Sequence, residues 1–359
     1  FFQAEDGIRA RSPSRGLGDV YKRQLSYQCE EISEDIGSIV LKEVELSDPG
    51  PGEVRVRLKA CAVNFPDLLM IQGKYQFKPP LPFAPGSEAA GDIEACGPEC
   101  DIKEGDKVIV NMRCGGFSEG VVVDQSQVRA IPEGMEYGPA ASYQTAYLTA
   151  YVALYRRGHL REGESLLVHG ATGGVGMAAV DLGKYFGAKV IATGGRDDKL
   201  SVVKQRGADH VINYSLPNGS LGGFREEVKN LTQGNGADVV YDPVGGDVFD
   251  ESMRCINIGG RLLTIGFTSG RWPSAPVNLV LIKQLSIIGV RAGEFGRVYP
   301  ELGQENRETL YAMATNKDID PHISHALPLD QAIDAMRLLE KREVVGKAIV
   351  TMNGYSYPQ

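Results

Sequence analysis

Cysteine is scarce in this sequence: six residues, at positions 29, 61, 96, 100, 114 and 255, among 359. Such sparse, irregular spacing excludes a disulfide scaffold and fits a reducing compartment. Long apolar runs are also missing. The stretch 277–288 is interrupted by Asn278, Lys283, Gln284 and Ser286 and falls short of the roughly 18 apolar residues of a transmembrane helix, so no membrane partner is expected. Positive charge is in deficit: 38 Lys and Arg stand against 46 Asp and Glu, a formal net charge of −8 with a pI near 5.3. That balance argues against nucleic acid as the main partner, and any phosphate must be held by a local device. Metal-ligand spacing is lacking, because Cys96-Gly-Pro-Glu-Cys100 and Cys114 have neither a C-x-x-C pair nor a nearby His. No metal is expected. What the chain does have is 42% hydrophobic residues, enough for a sizeable core divided between two domains.

Residues 1–24 lack an initiating Met and show neither helical nor strand periodicity. They are expected to be a non-native or disordered leader. The next third reads as mostly β. A Pro/Gly turn at 48–52 precedes the alternating run Glu53-Val-Arg-Val-Arg-Leu-Lys-Ala60, and short strands are predicted at 88–96, 107–111, 116–124 and 128–131. Helical spacing takes over at 140–157. From Ser165 strands and helices alternate: strands at 165–169, 189–193, 210–213, 237–242, 261–266 and 285–290, with helices starting at Gly174, Asp197, Leu221 and Asp247. Leu166-Leu-Val168 and Val239-Val-Tyr241 are continuously apolar, as in parallel strands covered on both faces. The fold class is therefore α/β, a doubly wound parallel sheet attached to a β-rich unit. A final helix at 330–341 and strand at 347–352 are expected to return to that unit.

The strand at 165–169 runs into Gly170-Ala-Thr-Gly-Gly-Val-Gly176 and then a helix. Glycines there allow a tight turn and close approach of pyrophosphate, while the helix start offers unpaired N–H groups. Ala171 breaks the strict G-x-G-x-x-G pattern, but strand, turn and helix stand in the required order. Thr172, Gly173, Gly174 and Val175 are candidate dinucleotide contacts. The second strand ends Thr193-Gly194-Gly195-Arg196 without the acid that accepts from an NAD ribose. Gly194 is a further contact, and Arg196, Lys199 and Tyr214 can serve a 2′-phosphate, which favours NADP(H) over NAD.

Cys61-Ala-Val-Asn-Phe-Pro-Asp67, Gln72-Gly-Lys-Tyr75, Lys78-Pro-Pro-Leu-Pro-Phe83, Pro85-Gly-Ser-Glu-Ala-Ala-Gly91, Glu104-Gly-Asp-Lys-Val108, the glycine turn, Asp242-Pro-Val-Gly-Gly246 and Gly259-Gly-Arg-Leu262 occur in one order. In this the chain resembles the quinone oxidoreductase branch of the medium-chain dehydrogenase/reductase superfamily, from Lys42 to Met352. The resemblance implies a GroES-like catalytic domain from both chain ends (25–147 and 291–359), a Rossmann NADP-binding domain (148–290), a cofactor cleft between them and a homodimer. Zinc-containing relatives carry Cys where this chain has Asn64 and His where it has Ser87, so the resemblance implies a zinc-independent enzyme. It further implies Asn64, Asp67 and Tyr75 as catalytic residues, and Asn64, Thr149, Val244, Gly266, Phe267, Val290 and Lys347 as cofactor contacts. Read alone, Asn64 is equally a turn residue, Asp67 a helix cap, Tyr75 a half-buried loop aromatic and Lys347 a surface lysine before a strand. The expected activity is NADPH-dependent hydride transfer to a quinone or activated alkene. Reduction of an enoyl or acryloyl thioester, with Arg291 near the cleft, is one alternative; NADPH binding with little turnover is another.

Overall fold

The computed structural model describes residues 22–216 and 218–358. Near the start, β1 (Lys22–Gln28) and β2 (Val40–Leu46) pair as an antiparallel ribbon. Three residues assigned above to the leader thus lie in β1: Lys22, Arg23 and Gln24 stand opposite Leu46, Glu45 and Val44. Residues 1–21 lie outside the described residues.

The hub of the first domain is β3 (Glu53–Val63), whose alternating side chains bury Val54, Val56 and Leu58. After it come α1 (Phe65–Ile71), β4 (Glu88–Cys96), β5 (Lys107–Asn111), β6 (Gly120–Asp124) and β7 (Val128–Ala130). The chain then crosses through α2 (Tyr137–Ala140) and α3 (Gln144–Tyr151), which runs on as a wider π-turn over Val152–Arg157.

The second domain alternates strand and helix as the sequence indicates, with one helix more, α8, that was not expected: β8 (Ser165–Val168), α4 (Gly174–Tyr185), β9 (Lys189–Gly194), α5 (Asp197–Gln205), β10 (His210–Asn213), α6 (Arg225–Leu231), β11 (Ala237–Asp242), α7 (Gly246–Cys255), β12 (Ile256–Thr264), α8 (Val277–Lys283) and β13 (Ser286–Gly289). Its six parallel strands lie in the order β10-β9-β8-β11-β12-β13, so the order reverses beside β8. All four residues of β8 are buried, as its continuous apolar run requires.

Two helices not expected from the sequence follow, α9 (Ala292–Val298) and α10 (Pro300–Thr315), and α10 packs on α3. The chain closes with β14 (Ile323–Pro328), α11 (Ala332–Glu340) and β15 (Lys347–Thr351). Here β15 pairs antiparallel with β3, Ala348 opposite Val63 and Val350 opposite Cys61. The seven-stranded sheet β14-β15-β3-β4-β5-β7, with β6 also on β3, is thus a GroES-like unit built from both chain ends. One apolar core crosses between the domains, joining Ala60, Ala62 and Ile109 to Tyr147, Ala150, Val168 and Met177 through α3. No helix among the described residues is long and apolar enough to cross a membrane.

Candidate active site

The glycine turn sits where the strand order reverses, the position at which open α/β sheets bind ligands. Its closeness is enforced by backbone: a Cβ on Gly176 would fall 2.2 Å from the Gly170 carbonyl oxygen. Behind the turn, α4 runs twelve residues from Gly174, and its first N–H groups have no acceptor within the helix, which favours an anion there. A cradle of this kind fits a pyrophosphate.

Loops from neighbouring strands gather beside it. A Cβ on Gly170 would touch Val244 Cγ2 at 3.3 Å, and one on Gly194 would meet Thr172 Cγ2 at 3.2 Å. The loop after β11 is shaped by Asp242, whose Oδ1 accepts from the N–H groups of Val244 (2.8 Å) and Gly245 (2.9 Å). Burial raises the Asp242 carboxyl to about 6 against those two bonds. Thr268 and Ser269, just past Gly266 and Phe267, donate their N–H groups to the carbonyls of Pro243 and Val244. Val290 is buried at the exit of β13 and donates to the Thr264 carbonyl at 3.0 Å.

A strap from the other domain closes over this edge. Between α11 and β15 the Gly346 N–H donates to the Thr172 carbonyl at 2.8 Å. Lys347 follows directly, and its stem lies so near the turn that a Cβ on Gly174 would be 2.8 Å from Lys347 Cδ. Lys199 Nζ donates to the carbonyls of Arg342 and Val344. It is thereby committed to fastening the strap, and burial lowers its pKa. Arg196, by contrast, is exposed, and its one side-chain partner among the described residues is its neighbour Asp198, at 3.0 and 2.6 Å. Tyr214 packs against Phe224 under the positive field of Arg342, and Arg342 Nη2 also reaches the Thr268 carbonyl at 3.1 Å. Arg342 was not singled out from the sequence.

On the facing domain, Asn64 caps α1. Asp67 answers it: Oδ2 accepts from the Asn64 N–H at 2.8 Å and Oδ1 from the Gly86 N–H at 3.3 Å. Asp67 is fully buried, and the loss of solvation raises its carboxyl to about 7 despite those N–H groups and the nearby Lys347 ammonium. Beneath lies Cys61, whose thiol is pushed well up by burial and by the carboxylates of Asp67 and Glu88. The Asn64 side chain meets two further groups: Oδ1 accepts from Lys347 Nζ at 2.6 Å, and Nδ2 donates to Glu88 Oε1 at 3.0 Å. Lys347 Nζ also reaches Glu88 Oε1 at 3.0 Å, and Glu88 Oε2 accepts from the Thr145 N–H in the first turn of α3 at 2.8 Å.

Asn64 and Asp67, three residues apart, therefore form one buried polar cluster with Lys347, 283 residues from Asn64, joined by Glu88. Sequence reasoning overlooked Glu88, although a lone carboxylate opening the apolar strand Glu88-Ala-Ala-Gly91 signalled a buried charge needing partners. Tyr75 stands apart. It is half-buried in the loop after α1 against the GroES-like core, and among the described residues its hydroxyl has no protein partner. Thr149 lies half-buried on α3, its hydroxyl donating to the Thr145 carbonyl at 2.7 Å.

A GroES-like unit whose last strand docks on the glycine turn of a doubly wound sheet is the architecture of medium-chain dehydrogenases and reductases. Comparison with known proteins agrees. Residues 50–143 match the alcohol dehydrogenase GroES-like domain, and residues 174–306 match the zinc-binding dehydrogenase domain. Quinone oxidoreductase-like protein 2 of Mus musculus is 35% identical, with 95% of each chain covered. Among solved structures, a probable oxidoreductase from Mycobacterium abscessus is 34% identical with a TM-score of 0.81, covering 92% of this chain and 99% of that one. A mycobacterial protein solved with NADPH is 27% identical with a TM-score of 0.80, covering 91% of this chain and 100% of that one. The chain belongs to the medium-chain dehydrogenase/reductase superfamily, in its quinone oxidoreductase-like branch, and is an oxidoreductase.

Proposed function

We propose that this protein is an NADPH-dependent, zinc-free reductase of quinones or activated alkenes. The observation that carries this reading is the joining of the Asn64–Lys347–Glu88 cluster to the glycine turn through the strap at 342–347. That arrangement brings polar donors of one domain to the dinucleotide cradle of the other.

The cradle fits a nicotinamide dinucleotide: Thr172, Gly173, Gly174 and Val175 would hold the pyrophosphate, with Gly194, Val244, Gly266, Phe267, Val290 and Thr149 along its length. Bound there, NADPH supplies the hydride. For the 2′-phosphate, Arg196 has only a surface carboxylate to give up, and Arg342 beside Tyr214 adds a second guanidinium. Lys199 would act through the strap it fastens. On the acceptor side, Asn64 and Lys347 each retain an N–H donor after their bonds within the cluster, and among the described residues nothing claims the Tyr75 hydroxyl. Donors so placed stabilise negative charge growing on an acceptor oxygen. Asp67 acts indirectly, holding the Asn64 backbone.

A zinc ion does not fit this cluster. Asn64 and Ser87 stand where zinc-containing relatives have Cys and His, Asn64 Oδ1 and Glu88 Oε1 already share the Lys347 ammonium, and Glu88 Oε2 and both Asp67 oxygens accept from backbone N–H groups. A dimer is also proposed. Among the described residues, β13 pairs only with β12, and Ile258, Trp272, Val277, Leu281 and Ile282 are exposed on the same domain. An open edge with apolar surface beside it suits a second copy of this chain.

The test is single-turnover oxidation of NADPH, and of NADPH deuterated at C4, with an ortho-quinone and with an enone. A primary isotope effect with either acceptor is expected. Bound NADPH that is oxidised by neither acceptor, nor by an enoyl thioester, would overturn the assignment.

A further inference from the structure

We propose that Glu88 is a positioning residue: its carboxylate sets the Asn64 amide in one orientation and holds the Lys347 ammonium beside it. This deepens the functional reading above and rests on it. Glu88 is 1% exposed, and three donors from three different elements converge on its two oxygens. Lys347 Nζ and Asn64 Nδ2 reach Oε1, each at 3.0 Å, and the Thr145 N–H reaches Oε2 at 2.8 Å. A bond from Lys347 Nζ to Asn64 Oδ1, 2.6 Å, closes the ring.

The ring has a direction. An ammonium can only donate and a carboxylate can only accept, so the amide between them has one satisfactory setting, with oxygen toward Lys347 and nitrogen toward Glu88. Turned over, it would press NH2 on NH3+ and oxygen on carboxylate. Two of the three Lys347 donors and one of the two Asn64 amide hydrogens are consumed inside the ring. What each retains is a single N–H, so the cluster keeps two donors that the ring does not use. Thr145 anchors the device to α3, where the helix start favours the carboxylate charge, and Lys347 anchors it to the strap on the glycine turn. Elsewhere around the ring, Asp67 is occupied by the Asn64 and Gly86 N–H groups.

Glu88→Gln tests the idea with little change of shape. Glutamine has one accepting end, so either the Thr145 N–H or the Lys347–Asn64 pair loses its acceptor, and the negative charge that holds the Lys347 ammonium against the Asn64 amide is gone. Hydride transfer in a single turnover is expected to fall about 100-fold while the NADPH Kd moves less than about threefold. Glu88→Asp, which keeps the charge, is expected to recover about tenfold of that loss. Because Glu88 acts through Asn64 and Lys347, the loss in Asn64→Ala with Glu88→Gln should be smaller than the product of the two single losses. A second readout does not need turnover: the Asn64 side-chain amide resonance in the NADPH-free protein, assigned by its loss in Asn64→Ala. It should shift in Glu88→Gln and exchange with solvent at least about tenfold faster.

A rate within twofold of wild type, losses that multiply in the double variant, or an unmoved amide resonance would overturn the proposal. Wild type that turns over no acceptor would strike down the functional reading instead, and the amide resonance would then decide the positioning role by itself. If Glu88→Gln fails to fold by thermal melting, Glu88→Asp carries both readouts, and no change in either would refute the role.

Discussion

Replacing Asp67 with asparagine should reverse its effect on stability between acid and neutral pH. In the folded protein the Asp67 carboxyl is raised to about 7 from an ordinary value of 3.8, chiefly by burial. A group with a higher pKa folded than unfolded keeps its proton longer in the folded state, so stability falls as pH rises between the two values. Below about pH 4 both states are protonated and there is no penalty; above about pH 7 the full penalty, about 4 kcal/mol, is present. The asparagine amide does not titrate. It would instead set an NH2 group against the N–H of Gly86 or Asn64, a pH-independent cost of about 1–3 kcal/mol. Asp67→Asn is therefore expected to be less stable than wild type at pH 4 and more stable at pH 8. Urea unfolding followed by far-UV circular dichroism at pH 4, 5, 6, 7 and 8 reads the difference directly. Asp242, also raised by burial, is common to both proteins and cancels. A stability difference constant across this range would refute the reasoning.

Other consequences follow from the turn, the strap and the sheet edge. Gly176→Ala puts a methyl group 2.2 Å from the Gly170 carbonyl; the turn must open, and NADPH affinity measured by fluorescence titration should fall at least about 30-fold. Unchanged affinity would mean that the turn is not the cradle. Lys199→Met strands the carbonyls of Arg342 and Val344, and should cost about 1–3 kcal/mol of stability in chemical denaturation. Arg342→Ala should weaken NADPH about tenfold and NADH less than about twofold, by calorimetric titration; equal loss for both would remove the 2′-phosphate role. Leu281→Glu with Ile282→Glu should convert a dimer to a monomer in light scattering, and a wild type already monomeric would discard the interface.

Much of the fold was legible because its signals are local. The continuous apolar run of β8 and the glycines that follow point to a buried parallel strand and a phosphate turn, and both are where the sequence indicates. Helix α10 escaped because its buried face includes Gly303 and Asn306 beside Leu310, Met313 and Ala314, which blurs the apolar period. β12 starts at Ile256, ahead of the expected start at Arg261, because Gly259 and Gly260 interrupt the apolar run within the strand. In the site, Asn64, Asp67 and Lys347 came from family resemblance, and the structure brings them together. Glu88 carried a signal that burial alone could have exposed. The destination of the Lys199 ammonium was not legible at all, since a basic residue at a helix start reads the same whether it faces solvent, a phosphate or a carbonyl 143 residues away. Arg342 was invisible for the same reason: its place depends on the path of the strap, which is set by β15 docking on β3.

The proposed reductase activity needs both the cluster at Asn64 and the glycine turn. Its most direct test is steady-state oxidation of NADPH, followed at its nicotinamide absorbance, with an ortho-quinone and beside NADH, for wild type, Asn64→Ala and Tyr75→Phe. Turnover with NADPH is expected, with much weaker turnover with NADH and impaired rates in both variants while NADPH binding is retained. Wild type that binds NADPH but oxidises none of it with quinones or enones, or variants as fast as wild type, would contradict it.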